Sequence, residues 1–156
     1  MSMGATQLYA VIRHLRPAFK HISKLVEIRS AEAGLTIGMR AVLEQLYEEG
    51  PKTVPDIARS LMVERQYIQR TANALMAEKL ISRLPNPAHK KSWIFDLTEE
   101  GGHRFTSLKR REIAILQKIA KDLSASEIAS AITVMSTLSE TFNRLVKQEQ
   151  HLSKGE

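Results

Sequence analysis

Apolar residues recur at three- and four-residue steps along most of the chain, and the period shortens over one stretch in the middle. Leu8, Val11, Ile12, Leu15, Phe19, Ile22 and Val26 fall on one stripe of a long helix, with Arg13, Arg16, Lys20 and Lys24 off it. Pro17 sits inside that stripe; it removes a helical hydrogen bond and crowds the turn before it, which predicts a kink or a restart. Gly34 suits the position just past the helix end. Thr36 can cap a second helix with Met39, Val42, Leu43 and Leu46 inward, stopped by Glu49-Gly50-Pro51. Thr53-Val54-Pro55-Asp56 is a helix start, with a capping threonine, a first-turn proline and an acid three residues on. That third helix is short, ending at about Leu61. A fourth runs from about Arg65 to near Lys79, with Ile68, Ala72, Leu75 and Met76 inward.

The period then shortens. Leu80 to Leu84 is brief and partly β-branched, and Pro85-Asn86-Pro87 signals a turn. Trp93, Phe95 and Leu97 alternate with Ser92, Ile94 and Asp96, as in a half-buried strand. The two segments predict a hairpin with a basic tip at His89-Lys90-Lys91, the one strand pair expected. Trp93 and Phe95 are assigned to packing of the hairpin on the body. Helical spacing resumes after Thr98-Glu99-Glu100, whose acids suit the positive end of a helix dipole. Gly101-Gly102 should weaken that first turn, and Phe105, Leu108, Ile113, Leu116 and Ile119 run on to about Asp122. Ser124-Ala125-Ser126-Glu127 is a capping box opening a last helix striped by Ile128, Ala131, Ile132, Met135, Leu138, Phe142, Leu145 and Val146.

Composition narrows the class. The 156 residues are 43% hydrophobic but only 5% aromatic, and 26% are charged, the balance of an ordinary folded chain. Cysteine is absent, which excludes disulfides, thiolate metal sites and a cysteine nucleophile. The N-terminus lacks an apolar stretch followed by a small-residue cleavage site, so no signal peptide is expected. The longest uncharged run, Ile128 to Ser139, is too short and polar to cross a membrane, so a cytoplasmic protein is expected. Net charge is +6. Residues 53–97 carry 7 basic and 4 acidic groups and residues 1–35 carry 5 and 2, whereas 98–156 are nearly balanced at 9 and 8. A polyanion partner would therefore meet the first helix and the middle third.

The element order defines the expected fold: mainly α with one β-hairpin wing, a winged helix-turn-helix flanked by long N- and C-terminal dimerisation helices. The expected regions are 1–35 (N-terminal helix of the dimerisation region), 36–98 (winged helix-turn-helix) and 99–156 (C-terminal helices of the dimerisation region). In such a module the second helix of the pair enters the major groove of double-stranded DNA. The long helices carry more apolar surface than so small a module can cover, which predicts a homodimer.

The stretch from Leu35-Thr36 to Gly101 resembles the MarR family of bacterial transcriptional regulators. Ala58 stands where helix-turn-helix motifs place a small residue, Val63 where an apolar residue follows the turn, and Ile68 where the second helix faces inward. Leu97-Thr98-Glu99-Glu100-Gly101 fits the Leu-Thr-x-x-Gly with which the family's wing ends. The resemblance implies a homodimeric repressor on a pseudo-palindromic operator, released by a small aromatic or anionic effector. Three departures stand out: Met62 replaces a turn glycine, Glu64 replaces a serine-type cap, and His89-Lys90-Lys91 replaces Asp-Arg-Arg at the wing. Lysine lacks arginine's flat donor fork, so wing readout should be less shape-selective.

Arg65, Gln66, Tyr67, Gln69 and Arg70 occupy the first two turns of the recognition helix, where arginine can pair with guanine and glutamine with adenine. Thr53, Arg40 and Arg83 are candidate phosphate contacts, and His89, Lys90 and Lys91 candidate backbone contacts of the wing. The bland alternative for each is a solvated surface. Lys109-Arg110-Arg111 is assigned to such a surface. By position in the family, His14, Phe19, Ile22, Arg40 and Phe105 are the candidate lining of an effector crevice, with core packing as the alternative. His14 and His21 share a helix face but lack a third ligand, so no metal or other cofactor is expected. No P-loop, dinucleotide-binding glycine pattern, His-Glu-x-x-His or Gly-x-Ser-x-Gly occurs, and no enzyme is expected. The competing function is a winged-helix interaction protein without specific DNA binding.

Overall fold

Local capping chemistry sets most of the helix boundaries. The computed structural model describes residues 3–87 and 92–152. Among them the elements run α1 (Met3–Glu32), α2 (Ile37–Glu49), β1 (Lys52–Thr53), α3 (Val54–Leu61), α4 (Arg65–Ala77), β2 (Ile81–Pro85), β3 (Trp93–Leu97), α5 (Glu99–Ile119) and α6 (Ala125–Leu152). A short 3-10 turn, Ala120–Asp122, separates the last two.

Gly34 ends α1 with φ +71°; its N–H donates to Ala31 O at 3.0 Å, and Leu35 N–H donates to Ser30 O at 2.8 Å. This is the Schellman pairing, which needs a left-handed residue. Thr36 caps α2 by accepting from Met39 N at 3.1 Å. The expected restart at Pro17 is absent: α1 runs unbroken from Met3 to Glu32. Proline leaves one carbonyl without its helical donor, that of Arg13, and the segment is exposed to water, which can take its place.

The hairpin is present, with Arg83 opposite Phe95, Leu84 opposite Ile94 and Pro85 opposite Trp93. It does not stand alone. β1 pairs antiparallel with β3, Lys52 opposite Phe95 and Thr53 opposite Ile94, giving the strand order β1-β3-β2. The expectation of a single strand pair missed this strand, because two residues are too few to show any periodicity.

The chain divides into two compact units, Met1–Arg111 and Glu112–Glu156. By contact, α1 and the first part of α5 therefore go with the winged-helix body. In this first unit Val42 and Leu43 of α2, Ile57 of α3, Ile68 and Leu75 of α4, and Leu80 are completely buried. Phe95 brings the sheet onto this core, and Phe105 and Leu108 bring α5. Gly101 makes the α5 approach feasible, since a Cβ there would overlap the backbone carbonyl of Leu80. The Thr98 hydroxyl secures the same junction, donating to Lys79 O at 2.7 Å and accepting from Gly101 N at 3.0 Å. The first glycine of the pair thus answers to packing against Leu80, and only Gly102 has open space around it.

In the second unit, Ser124 and Glu127 close the expected capping box: Ser124 N–H donates to Glu127 Oε2 at 2.7 Å, and Glu127 N–H to Ser124 Oγ at 3.2 Å. α6 has no buried residue among those described. Leu123, Ile128, Ala131, Ile132 and Met135 line an open apolar hollow along it.

Candidate nucleic-acid interface

α3 and α4 meet through a turn that lacks glycine. Met62 takes the left-handed conformation itself, at φ +54° and ψ +44°. Its N–H donates to Arg59 O at 3.3 Å, and Val63 N–H donates to Ala58 O at 3.0 Å. This is the same pairing that Gly34 makes after α1. A side chain at such a position costs roughly 1–2 kcal/mol, which glycine would avoid. The Met62 side chain points into solvent, 88% exposed.

α4 has two distinct faces. Ile68, Ala72 and Leu75 are buried against α2 and α3, while Arg65, Gln66, Gln69 and Arg70 are exposed on the other side. Gln69 Nε2 donates to Asn73 Oδ1 at 3.1 Å. Neither Arg65 nor Arg70 makes an ion pair or side-chain hydrogen bond among the described residues, so both guanidinium groups keep their donors available. Glu64 occupies the N-cap position of α4, but its carboxylate makes no capping bond. It also pairs with neither neighbouring arginine among the described residues. Tyr67 differs from its neighbours: although 40% exposed, its ring lies against Gly38 in the first turn of α2.

A cleft of about 330 Å³ separates α4 from the wing, lined by Pro55, Arg65, Gln66, Gln69, Ser92 and Trp93 among others. Phe95 is buried in the body as expected, but Trp93 stands at the rim, 45% exposed. Trp93 lies opposite Pro85 at the outer end of the hairpin, and the Arg83 guanidinium sits 4.6 Å from the centre of its ring. Arg83 is thereby held beside the cleft by a cation–π contact.

Among the other expected contacts, Thr53 is occupied locally. It caps α3, accepting from Asp56 N at 3.4 Å and donating to Asp56 Oδ2 at 2.6 Å. That donated bond, assisted by Arg59, holds the Asp56 carboxyl below the usual carboxylate range. Arg40 is half-buried on α2 and pairs with Glu44 at 2.7 Å. His89, Lys90 and Lys91 lie outside the described residues.

The five residues assigned to an effector crevice take dissimilar positions. His14, Phe19 and Ile22 are exposed on α1. Phe105 is 1% exposed in the core, its ring centre 5.1 Å from that of Tyr47. The sequence reading missed the contact beside it. Lys109 of α5 pairs with Glu48 of α2 and lies 4.9 Å from the centre of the Tyr47 ring. The Glu48 carboxylate raises the Lys109 pKa above its ordinary value. Nothing local signals a pair 61 residues apart. No group of three His, Asp or Glu residues among those described could hold a metal ion. No helix among them is long and apolar enough to cross a membrane.

These features define a winged helix-turn-helix: a buried-backed second helix with exposed cations outward, beside a three-stranded wing. A model of the MarR family matches residues 33–92. The crystal structure of the MarR family transcription regulator SP03579 is similar over 92% of this chain and 95% of its own, at 31% identity and a TM-score of 0.82. The chain belongs to the MarR family. The crystal structure of Streptococcus pneumoniae FabT in complex with DNA shares the fold at 19% identity and a TM-score of 0.74, over 88% of this chain and 98% of that one. Among curated proteins, the uncharacterized protein Rv2011c of Mycobacterium tuberculosis is 38% identical over 68 residues, 44% of this chain. That match spans 48% of the relative, so the chain covers about half the length of the curated relatives it matches first.

Proposed function

We propose that this protein is a homodimeric transcriptional repressor that binds a pseudo-palindromic operator in double-stranded DNA and is released by a small aromatic or anionic effector. The observation that carries DNA binding is the outer face of α4. Arg65 and Arg70 stand exposed without an acidic partner among the described residues, on a helix whose inner face is fully buried. Cations left unpaired on a rigid helix suit phosphate and guanine, and Gln66 and Gln69 between them suit adenine. Arg83, held on Trp93, would meet the strand passing between α4 and the wing. His89, Lys90 and Lys91 would extend that contact. The SP03579 and FabT structures, the one a transcription regulator and the other a complex with DNA, support the reading.

The dimer is supported by the uncovered apolar face of α6, where Ile132 and Phe142 are 62% and 50% exposed. A twofold dimer would place two recognition helices roughly 34–36 Å apart, one turn of DNA. An effector acts on such a dimer only through unequal affinity for its DNA-competent and incompetent states. The operator places this work in the cytoplasm.

The test is selection of random duplexes by the purified protein, then titration of the best site at two salt concentrations. A pseudo-palindrome should emerge. Arg65→Ala or Arg70→Ala should weaken binding at least about tenfold, the order expected for one bidentate arginine–guanine pair. Loss of a phosphate contact should also flatten the salt dependence by about one unit of slope. No enriched sequence, with weak binding indifferent to both substitutions, would overturn the regulator and leave a winged-helix interaction protein.

A further inference from the structure

Gly38 has no conformational reason to be glycine. It lies inside α2, in the first turn after the Thr36 cap, and its φ is not positive. A glycine inside a helix loses roughly 1 kcal/mol against alanine. Gly34 and Gly50, by contrast, adopt φ of +71° and +76° at helix ends. The explanation is space. A Cβ at residue 38 would overlap the Tyr67 phenolic oxygen and stand 2.9 Å from its Cζ. The phenol of the recognition helix fills the volume that a side chain on α2 would take.

We infer that Tyr67 is a positioning residue of the recognition helix, keyed into the gap at Gly38, and not a reader of DNA bases. This rests on the proposed DNA-binding function of α4. Ile68, Ala72 and Leu75 hold α4 along one line, its buried face. That face packs on α2 and α3 together. Tyr67 adds a second bearing beside that line, at the end of α4 that carries Arg65 and Gln66. It sets the roll of the helix, and with it the direction in which Arg65, Gln66, Gln69 and Arg70 project. Because the overlapping atoms are the far end of a side chain that is 40% exposed, a methyl at residue 38 can be relieved by swinging the ring outward. The folded state then survives, but the ring moves onto the surface that would meet DNA and the bearing is lost.

The experiment compares operator affinity and thermal stability for the full chain and its variants, using the duplex recovered by selection. Gly38→Ala should keep or raise the melting temperature, since alanine favours the helix, while lowering operator affinity at least about tenfold. Tyr67→Phe keeps the ring and drops the hydroxyl; its affinity should stay within about twofold of the parent. Gly38→Ala combined with Tyr67→Ala should recover part of the loss, because the displaced ring is gone. Affinity unchanged in Gly38→Ala would overturn the proposal. So would parent-like affinity in Tyr67→Ala, which would show that no bearing is lost with the ring. Failure of the DNA-binding reading is distinguishable: the parent protein would then recover no operator at all.

Discussion

The two compact units use the same helical periodicity to opposite ends. In Met1–Arg111 the apolar stripes converge, and Val42, Leu43, Ile57, Ile68 and Leu75 lose all contact with water. In Glu112–Glu156 an equally regular stripe on α6 buries nothing among the described residues. Three short helices and a sheet can enclose a volume, whereas one long amphipathic helix has only one side and needs another surface to cover it. An apolar stripe therefore reports that a face will be covered, but not by what.

The largest effect should come from cutting the enclosed core. Leu43→Ala is expected to destabilise the fold by about 2–5 kcal/mol, read as a lower midpoint in urea. Ile132→Glu together with Phe142→Glu should instead leave the body folded and turn the proposed dimer into a monomer in sedimentation. A variant that stayed dimeric would assign the cover of α6 to some other surface.

A smaller effect is expected at the turn before α4. Met62→Gly removes a left-handed strain of roughly 1–2 kcal/mol. It also adds unfolded-state freedom worth roughly 0.5–1 kcal/mol. The net should be a modest gain in stability, at most about 1.5 kcal/mol by denaturant titration, and a loss would show that Met62 makes a stabilising contact of its own.

The smallest effect lies at the α6 cap. The Ser124 hydroxyl and N–H donate to Glu127 and lower its carboxyl pKa from the ordinary 4.5. A depressed folded-state pKa contributes stability that is present above the unfolded value and lost as pH falls through the folded one. The contribution should therefore fade on acidification below about pH 4.5. Carboxyl NMR titration of Ser124→Ala should show Glu127 moving back up towards its ordinary value.

Much of this fold could be read directly from the chain, because many of its signals act within one or two turns. Thr36, Thr53, Gly34 and the Ser124–Glu127 box each satisfy backbone groups three to five residues away, so the spacing that predicts them is also the spacing that makes them work. The inner face of α4 and the alternation of β3 are similarly local. The candidate contacts Arg65, Gln66, Gln69 and Arg70 follow from that inner face, as the residues left pointing away. Other features depend on partners distant in the chain. β1 exists only because β3 lies alongside it, Gly101 answers to the carbonyl of Leu80, and Phe105 is enclosed by packing on the first unit's core. Met62 could be marked as an anomaly, but its left-handed backbone is imposed by the need to turn from α3 into α4. Tyr67 shows the boundary best. Its place in the first turns of the recognition helix suggests a DNA contact, and only the gap at Gly38, 29 positions earlier in the chain, turns its ring onto α2. Steric fit between distant segments leaves no trace in local periodicity, because neither residue has a reason to be there until the other arrives.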